Sequence, residues 1–299
     1  MVDIVIIGTV ALDSIETPFG KVDDALGGSA TYASVAASYF SKPGILSIVG
    51  KDFPKRHIKF LNEKDIDTKG IVIGQKTFRW KGYYEFDMNE AKTLKTELNS
   101  LETYKVKVPD SYTNAKYVFL ANIDPELQLE VIKKMRNPEL IVMDTMNFWI
   151  EHKKEDLLKT IKKSDILILN DAEARELFKT PNLIKAASEA LKLVSKAVII
   201  KKGEHGALLF THKRHFNAPG YPLESIKDPT GCGDSFGGAF IGYLAKTKNS
   251  EEKNLRKAVI YGSVLASYNA EGFGTEKLKD ISNKDINKRY KEFEDIREF

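Results

Sequence analysis

Residues 166–201 read ILILNDAEARELFKTPNLIKAASEALKLVSKAVIIK and contain the pattern from which the fold class can be predicted. This stretch begins with an apolar run, 166–169, and ends with a second one, 197–201, each with the length and composition of a buried strand. Between them, residues 171–178 and 184–195 have helical periodicity. A strand, a helical connection and another strand form a βαβ unit, so this stretch predicts parallel strands in a sheet.

The same alternation extends outward over most of the chain. Further strand candidates are 3–8, 45–49, 117–121, 140–144 and 207–210, and further helical patterns lie near 28–40, 54–63, 125–136, 154–163, 234–246 and 252–270. This order predicts an α/β fold with a mostly parallel central sheet and helices on both faces. Ligands of such sheets bind outside the carboxyl ends of the strands.

Two segments depart from this pattern. Residues 14–26 include Pro18 and Gly20 and lack helical periodicity, and residues 71–98 contain alternating aromatic and charged side chains without a crossover helix. Both favour antiparallel strands outside the main sheet. We expect them to form a small β lid that excludes water from a site at the open edge, with an ordinary surface hairpin as the alternative.

Composition restricts the classes of function. The 299 residues include 46 basic and 42 acidic ones, interleaved along the chain, and this pattern does not indicate a nucleic-acid partner. The one cysteine, Cys232, fits a reducing, cytoplasmic setting. The apolar start, 2–12, is too short for a signal peptide or membrane span, and we expect no membrane partner.

The motif Asp228-Pro-Thr-Gly-Cys-Gly-Asp234 precedes an apolar helical run and is the main candidate for chemistry. The first turn of a helix has backbone N–H groups without internal partners, and Gly231 and Gly233 allow a ligand to approach them. Such a turn can bind an anion, and Asp234 could take a proton from an attacking hydroxyl. The alternative is a helix cap formed by Thr230 or Asp234.

Other candidate motifs, made of polar residues or glycines, are expected at the edge of the sheet where the carboxyl ends of the strands lie. They are Asp13, Gly27-Gly28, Asp144-Thr-Met-Asn147, Asn170-x-x-Glu173 and Lys202-Gly203-x-x-Gly206. Each has a structural alternative: Asp13 and Asn147 could form turns, Asn170 and Glu173 could form a capping box, and the lysines could be exposed in a hairpin. Phosphate-loop, dinucleotide and zinc-protease spacings are missing from the sequence.

Taken in order, these motifs resemble those of the ribokinase-like (PfkB-type) carbohydrate and nucleoside kinases, from the first strand to about residue 275. The resemblance implies a single three-layer α/β/α kinase domain over residues 1–299, with a small β lid and with ATP and Mg²⁺ as cofactors. One departure concerns the acceptor: many sugar-kinase members carry Asn where this chain has Tyr32, which removes an amide that binds hydroxyl groups.

The resemblance also implies residue roles. Asp234 would be the general base, and the amides of Gly231, Cys232 and Gly233 would form the anion hole. Asn170, Lys202, Gly203 and Gly206 would contact ATP, with the adenine against the segment from Ser263 to Gly274. Glu173 would place Mg²⁺ through water, and Asp228 and Thr230 match positions that line a monovalent-cation (K⁺) site in some members. Asp13, Gly27 and Gly28 would bind acceptor hydroxyls, and Asn147 is a further candidate for substrate contact.

Three hypotheses of function follow. The first is an ATP-dependent kinase that phosphorylates a hydroxyl of a sugar, sugar acid or polyol. The second is a nucleoside kinase on the same fold, in which lid aromatics such as Trp80 and Tyr84 could stack a base. The alternative is that these aromatic side chains pack lid against lid. The third is a non-catalytic metabolite sensor. An exposed lid strand could also pair with a second subunit to give a homodimer.

Overall fold

The computed structural model describes residues 2–298. Their strands are β1 (Ile4–Ile7), β2 (Ala11–Thr17), β3 (Gly20–Gly27), β4 (Pro43–Gly50), β5 (Asp67–Gly74), β6 (Phe78–Tyr84), β7 (Ala91–Glu97), β8 (Tyr117–Leu120), β9 (Leu140–Met143), β10 (Ile166–Asn170), β11 (Ala197–Lys201), β12 (Ala207–Thr211) and β13 (His215–Ala218). Their α-helices are α1 (Ser29–Ala37), α2 (Lys55–Glu63), α3 (Pro125–Lys134), α4 (Asn147–His152), α5 (Lys154–Ile161), α6 (Asp171–Phe178), α7 (Leu183–Leu191), α8 (Cys232–Thr247), α9 (Glu252–Ala270), α10 (Glu276–Asp280) and α11 (Asn283–Asp295). No helix among these residues is long and apolar enough to cross a membrane.

The larger sheet has the strand order β13-β12-β11-β10-β9-β8-β1-β4-β5. Neighbours from β11 to β5 pair in parallel, whereas β12 and β13 extend one edge as antiparallel strands. A parallel sheet covered on both faces needs strands that are apolar on both sides. Ile4 and Ile6 accordingly pack into one hydrophobic cluster and Val5 and Ile7 into another. The predicted α/β architecture with a mostly parallel sheet between helical layers is confirmed.

Helices α1 and α8 pack together on one face of this sheet and direct their N-termini to the same edge. A Cβ atom on Gly238 would lie only 2.0 Å from the carbonyl oxygen of Ala33, so a glycine is needed for this close contact. The N–H of Ala30, at the start of α1, donates to the carbonyl of Thr9 just beyond β1. The start of α8 lies beside Lys201, the last residue of β11. Both helix starts therefore face a cleft at the carboxyl ends of the strands.

The smaller sheet has the order β3-β2-β6-β7 and lies outside the main sheet, as a lid would. Its boundaries differ from the predicted 14–26 and 71–98, because its first strand begins at residue 11 and residues 71–74 belong to β5 of the main sheet. The β2–β6 pair is parallel, whereas the outer pairs are antiparallel as expected. The edge strand β7 is largely exposed, and a homodimer through the lid stays a prediction.

The lid contacts the segment that leads into α8. The hydroxyl of Thr17 donates to the carbonyl of Lys227 at 2.9 Å, and the hydroxyls of Tyr84 and Thr230 are 3.2 Å apart. At the turn after β2, a Cβ atom on Gly20 would lie 3.3 Å from the ring of Phe273. These contacts hold the lid over the cleft that the two helix N-termini face.

Candidate active site

The start of α8 forms a short backbone cradle. Gly231 caps the helix in the left-handed conformation, with φ of 76°, and its α-carbon faces the ring of Tyr32, which a Cβ atom would meet at 2.4 Å. The Cys232 N–H donates to the carbonyl of Pro229 at 3.1 Å. Within residues 2–298, the N–H groups of Gly231 and Gly233 have no acceptor. Two of the three amides predicted for the anion hole are thus free to bind an anion, and the Cys232 amide is engaged in a turn.

Asp234 lies in the first turn of α8, beside this cradle. Burial, and to a smaller extent the charge of Asp144, raise the pKa of its carboxyl group to about 7. The ammonium group of Lys201 and the backbone N–H of Asp234 itself oppose that rise. A carboxyl group that titrates near neutrality is well suited to accept a proton from an alcohol.

Asp144 and Lys201 form a buried ion pair at the carboxyl edge of the sheet. The Lys201 Nζ lies 2.8 Å from the Asp144 Oδ2, and the two side chains are 17% and 4% exposed. Burial acts to lower the pKa of Lys201, but Asp144 and Glu173 more than compensate, and the pKa is raised. Lys201 therefore remains charged inside the cleft.

Asn170 and Glu173 form a capping box at the start of α6. This was one of the two interpretations of their spacing in the sequence. The Asn170 Oδ1 accepts from the Glu173 N–H at 2.8 Å, and the Glu173 Oε2 accepts from the Asn170 N–H at 2.7 Å. The Asn170 Nδ2 also donates to the Glu173 Oε1 at 2.8 Å. Burial raises the pKa of Glu173 well above its usual range, and the charge of Lys201 opposes this rise. This geometry confirms the capping box.

Asp13 lies on β2 of the lid sheet, and its side chain is buried. Its Oδ2 accepts from the Gly28 N–H at 3.2 Å, and a Cβ atom on Gly27 would lie 1.9 Å from that oxygen. Gly28 has a φ of 93° and no room for a Cβ atom against Thr9. Burial raises the pKa of Asp13 to about 7, with contributions from Asp228 and Asp234. Asp13, Gly27 and Gly28 thus form one group close enough to sense the charge of Asp234.

The loop before α8 is held by buried side chains. The Asp228 carboxylate accepts from the Thr230 N–H at 2.9 Å and from the Gly274 N–H at 3.0 Å. The Asn269 Nδ2 donates to the Thr230 carbonyl at 2.7 Å, and this brace was missed because nothing in the sequence links Asn269 to the loop. The monovalent-cation role of Asp228 and Thr230 stays a prediction.

The model for the pfkB family of carbohydrate kinases matches residues 3–281. The chain belongs to this family.

Two curated relatives of this kinase are named for nucleosides. The chain is 29% identical to a cytidine kinase of Thermococcus kodakarensis, over 84% of this chain and 92% of the relative. It is 25% identical to a nucleoside kinase of Methanocaldococcus jannaschii, over 78% of this chain and 74% of the relative. An Escherichia coli structure in complex with ATP and Mg²⁺, provisionally described as a ribokinase II, has a TM-score of 0.80 and 17% identity, and covers 98% of this chain and 100% of that one. The similarity to that structure shows a shared ribokinase-type fold.

Membership of this family makes the protein a phosphotransferase. The remaining residues predicted for the site lie outside the cradle at the start of α8. Lys202, Gly203 and Gly206 form the tight turn between β11 and β12, where the Lys202 N–H donates to the Gly206 carbonyl at 2.7 Å. Ser263 is half-buried on α9, and Asn147 is exposed at the start of α4. Contacts of these five residues with a nucleotide or an acceptor stay predictions.

Two buried groups of this kinase were absent from the predicted site. Asp144 and Lys201 were both quoted within motifs, but the phosphate role was given to the neighbouring Lys202. Strand alternation provides the signal, because Ile199 packs with the α8 side of the sheet and Lys201, two residues on, shares that side. That signal becomes usable only when the face covered by α8 is known.

Proposed function

We propose that this kinase transfers the γ-phosphoryl group of ATP to the hydroxymethyl group of a nucleoside, with Asp234 as the general base. The observation that carries this proposal is the position of Asp234 in the first turn of α8, next to the free N–H groups of Gly231 and Gly233. A base and an anion cradle in one helical turn are what phosphoryl transfer to an alcohol requires.

The reaction needs one proton acceptor and one site for charge. The acceptor hydroxyl loses its proton to the Asp234 carboxylate while its oxygen forms a bond to the γ-phosphorus. The bond from that phosphorus to the oxygen shared with the β-phosphate breaks, and ADP leaves with the electron pair. The amides of Gly231 and Gly233 would donate hydrogen bonds to the oxygens of the moving group, where negative charge is concentrated.

The nucleoside acceptor is favoured by the lid as well as by the two curated relatives. In the parallel β2–β6 register Asp13 is the partner of Trp80, so both side chains extend from the same face of the lid sheet. Tyr84 lies on that face too, and its hydroxyl group reaches Thr230 beside the cradle. A carboxylate for ribose hydroxyls next to an indole ring that can stack on a base suits a nucleoside better than a small sugar.

Mg²⁺ fits the charge of this cleft. Asp144, Glu173 and Asp234 lie around the ammonium group of Lys201, so the cleft offers carboxyl groups beyond the one that pairs with this lysine. Both carboxylate oxygens of Glu173 accept hydrogen bonds from Asn170, an arrangement that suits contact with the ion through water. When bound, Mg²⁺ would neutralise phosphate charge. No cluster of three acidic, histidine or cysteine ligands occurs among residues 2–298, so phosphates and water would supply most of its ligands.

An acceptor panel tests the proposal. ADP release would be measured with ATP and Mg²⁺ in the presence of cytidine, uridine, adenosine, inosine, ribose, fructose or a polyol. We expect turnover with at least one nucleoside at a kcat/KM well above that for ribose. Nucleosides with an ATP analogue should also raise the melting temperature, because a ligand that binds only the folded state stabilises it. Turnover of a free sugar or polyol without turnover of any nucleoside would reject the nucleoside acceptor and restore the first sequence-based hypothesis.

We expect activity to fall as the pH decreases through about 7. Asp234 accepts a proton only when it is ionised, and its pKa of about 7 leaves a decreasing ionised fraction below that pH. The pH dependence of kcat/KM for ATP reports groups of the free enzyme and would show this acidic limb. Asp13 also has a pKa of about 7, so the Asp13→Asn variant is the control. The limb should persist in that variant; its disappearance would assign it to Asp13.

A further inference from the structure

The ammonium group of Lys201 lies beside the backbone cradle at the start of α8, although the sequence motif favours its neighbour, Lys202. Its Nζ lies 3.0 Å from the position that a Cβ atom on Gly233 would occupy, directly beside the free N–H group of that residue. The same nitrogen is 2.8 Å from the Asp144 Oδ2. Lys201 thus extends from the end of β11 towards the first turn of α8.

The direction of the side chain follows from strand alternation. Ala197 and Ile199 of β11 pack in the cluster that contains α1 and α8, whereas Val198 and Ile200 pack in the cluster on the other face. Lys201 is two residues beyond Ile199, so its side chain lies on the same face of the sheet as Ala197 and Ile199, the face covered by α8. Lys202 begins the turn that follows, where its backbone N–H donates to Gly206.

The ammonium group of Lys201 has unused donor capacity. It carries three N–H donors, and the Asp144 Oδ2 is its one hydrogen-bond acceptor within residues 2–298. The side chain is 17% exposed, so part of its surface faces the cleft. Buried donors of a charged group that have no partner in the free protein are suited to a ligand that brings several acceptors.

The charges in the cleft also favour an interaction of Lys201 with a phosphate group. The charges of Asp144, Glu173 and Asp234 all act on Lys201, which is the cation that opposes the pKa rise of both Glu173 and Asp234. If Lys201 served only to neutralise Asp144, the position of its ammonium group against the cradle would have no function. A lysine at the cradle can stabilise negative charge on a transferring phosphoryl group.

We propose that Lys201 is a catalytic residue that donates hydrogen bonds to the γ-phosphoryl oxygens during transfer, and that Asp144 is a positioning residue that holds its ammonium group at the cradle. This inference rests on the proposed transfer from ATP, but not on the identity of the acceptor. The neighbouring Lys202 has no corresponding position beside α8.

The test compares binding of ADP with binding of an ATP analogue that cannot be hydrolysed, with Mg²⁺ and without any acceptor. The variants are Lys201→Met, Lys201→Arg and the Asp144→Asn/Lys201→Met double variant. Lys202→Met is the comparison at the neighbouring lysine, and Lys163→Met, at an exposed lysine outside the cleft, is the matched control. The double variant removes both charges of the ion pair, so Asp144 is not left as an unpaired buried carboxylate, and this variant should fold even where the single variant does not. Circular dichroism and thermal melting would verify the fold of each variant.

We expect the double variant to lose about tenfold or more in affinity for the ATP analogue while its affinity for ADP changes little. Its kcat should fall by about 10²-fold or more, as when one donor to a developing oxyanion is removed. Lys201→Arg should retain part of the preference for the analogue, because it keeps the charge. Lys202→Met should keep the preference for the analogue over ADP, and Lys163→Met should match the wild type in kcat and in binding.

Two results would overturn the inference: an unchanged preference for the analogue in the double variant, or loss of that preference in Lys202→Met. The outcome is independent of the acceptor panel. If no nucleoside is phosphorylated but the preference for the analogue still depends on Lys201, the proposed acceptor fails and the role of Lys201 is retained.

Discussion

Replacing Asp234 by asparagine should reduce the kcat for phosphoryl transfer by about 10²–10⁴-fold, the usual contribution of a positioned general base. The amide cannot take the proton of the acceptor hydroxyl, whereas its size and shape match those of the carboxyl group. The N–H groups of Gly231 and Gly233 remain in place, so binding of an ATP analogue should be largely retained. Steady-state ADP release and calorimetric titration with the analogue would measure the two effects separately.

The Asp295→Asn variant is a suitable control for this substitution. Asp295 is exposed at the end of α11, and the same change there should leave both kcat and nucleotide binding unchanged. If Asp234→Asn retained wild-type kcat, Asp234 would not be the base. Equal losses of analogue binding and turnover would instead indicate a role in binding the nucleotide.

A Gly231→Ala substitution should also be severe, with kcat reduced by about 10²-fold or more and a lower melting temperature. Gly231 has a φ of 76°, a conformation that costs an L-residue roughly 1–2 kcal/mol. The new methyl group would lie 2.4 Å from the buried ring of Tyr32, so the loop must move. Movement of the loop displaces the N–H groups that are proposed to bind the γ-phosphoryl group.

Gly233→Ala provides the comparison within the same cradle. Gly233 lies inside the helix, and its new methyl group would meet only the flexible end of Lys201, at 3.0 Å. We expect a smaller loss of kcat and a melting temperature close to that of the wild type. Equal effects of the two substitutions on kcat and on melting would contradict the geometric role given to Gly231. Kinetic assays and thermal denaturation would provide both quantities.

Most elements of the main sheet could be predicted from periodicity, because strands buried on both faces leave a strong apolar signal. The predicted strand 197–201 and helices 171–178 and 252–270 coincide with β11, α6 and α9. Residues 71–74, the second half of the edge strand β5, were assigned to the lid because the sequence of this strand, DTKGIVIG, mixes polar with apolar residues and the strand is only partly buried. A partly exposed edge strand and a lid strand have similar composition, and only pairing with β4 distinguishes them.

The candidate site was predicted as separate motifs whose proximity the sequence left open. Asp13 and Gly28 are 15 residues apart and share a hydrogen bond, and Lys201 and Asp144 are 57 residues apart and form an ion pair. The parallel strands bring their carboxyl ends to one edge, and this general rule made the grouping predictable. The particular partners depend on side-chain direction and on which helix covers which face.

The sequence by itself determined the α/β fold and the glycine-rich helix start with its carboxylate, because apolar periodicity and glycine placement are local properties of the chain. The tertiary structure decided which lysine faces the cradle, since Lys201 and Lys202 are equivalent until α8 is placed on one face of the sheet. It also decided that the amides of Gly231 and Gly233 are free while that of Cys232 is engaged by Pro229. These features depend on long-range packing, of α8 against β11 and of the lid against the loop before α8. No local sequence pattern contains this packing.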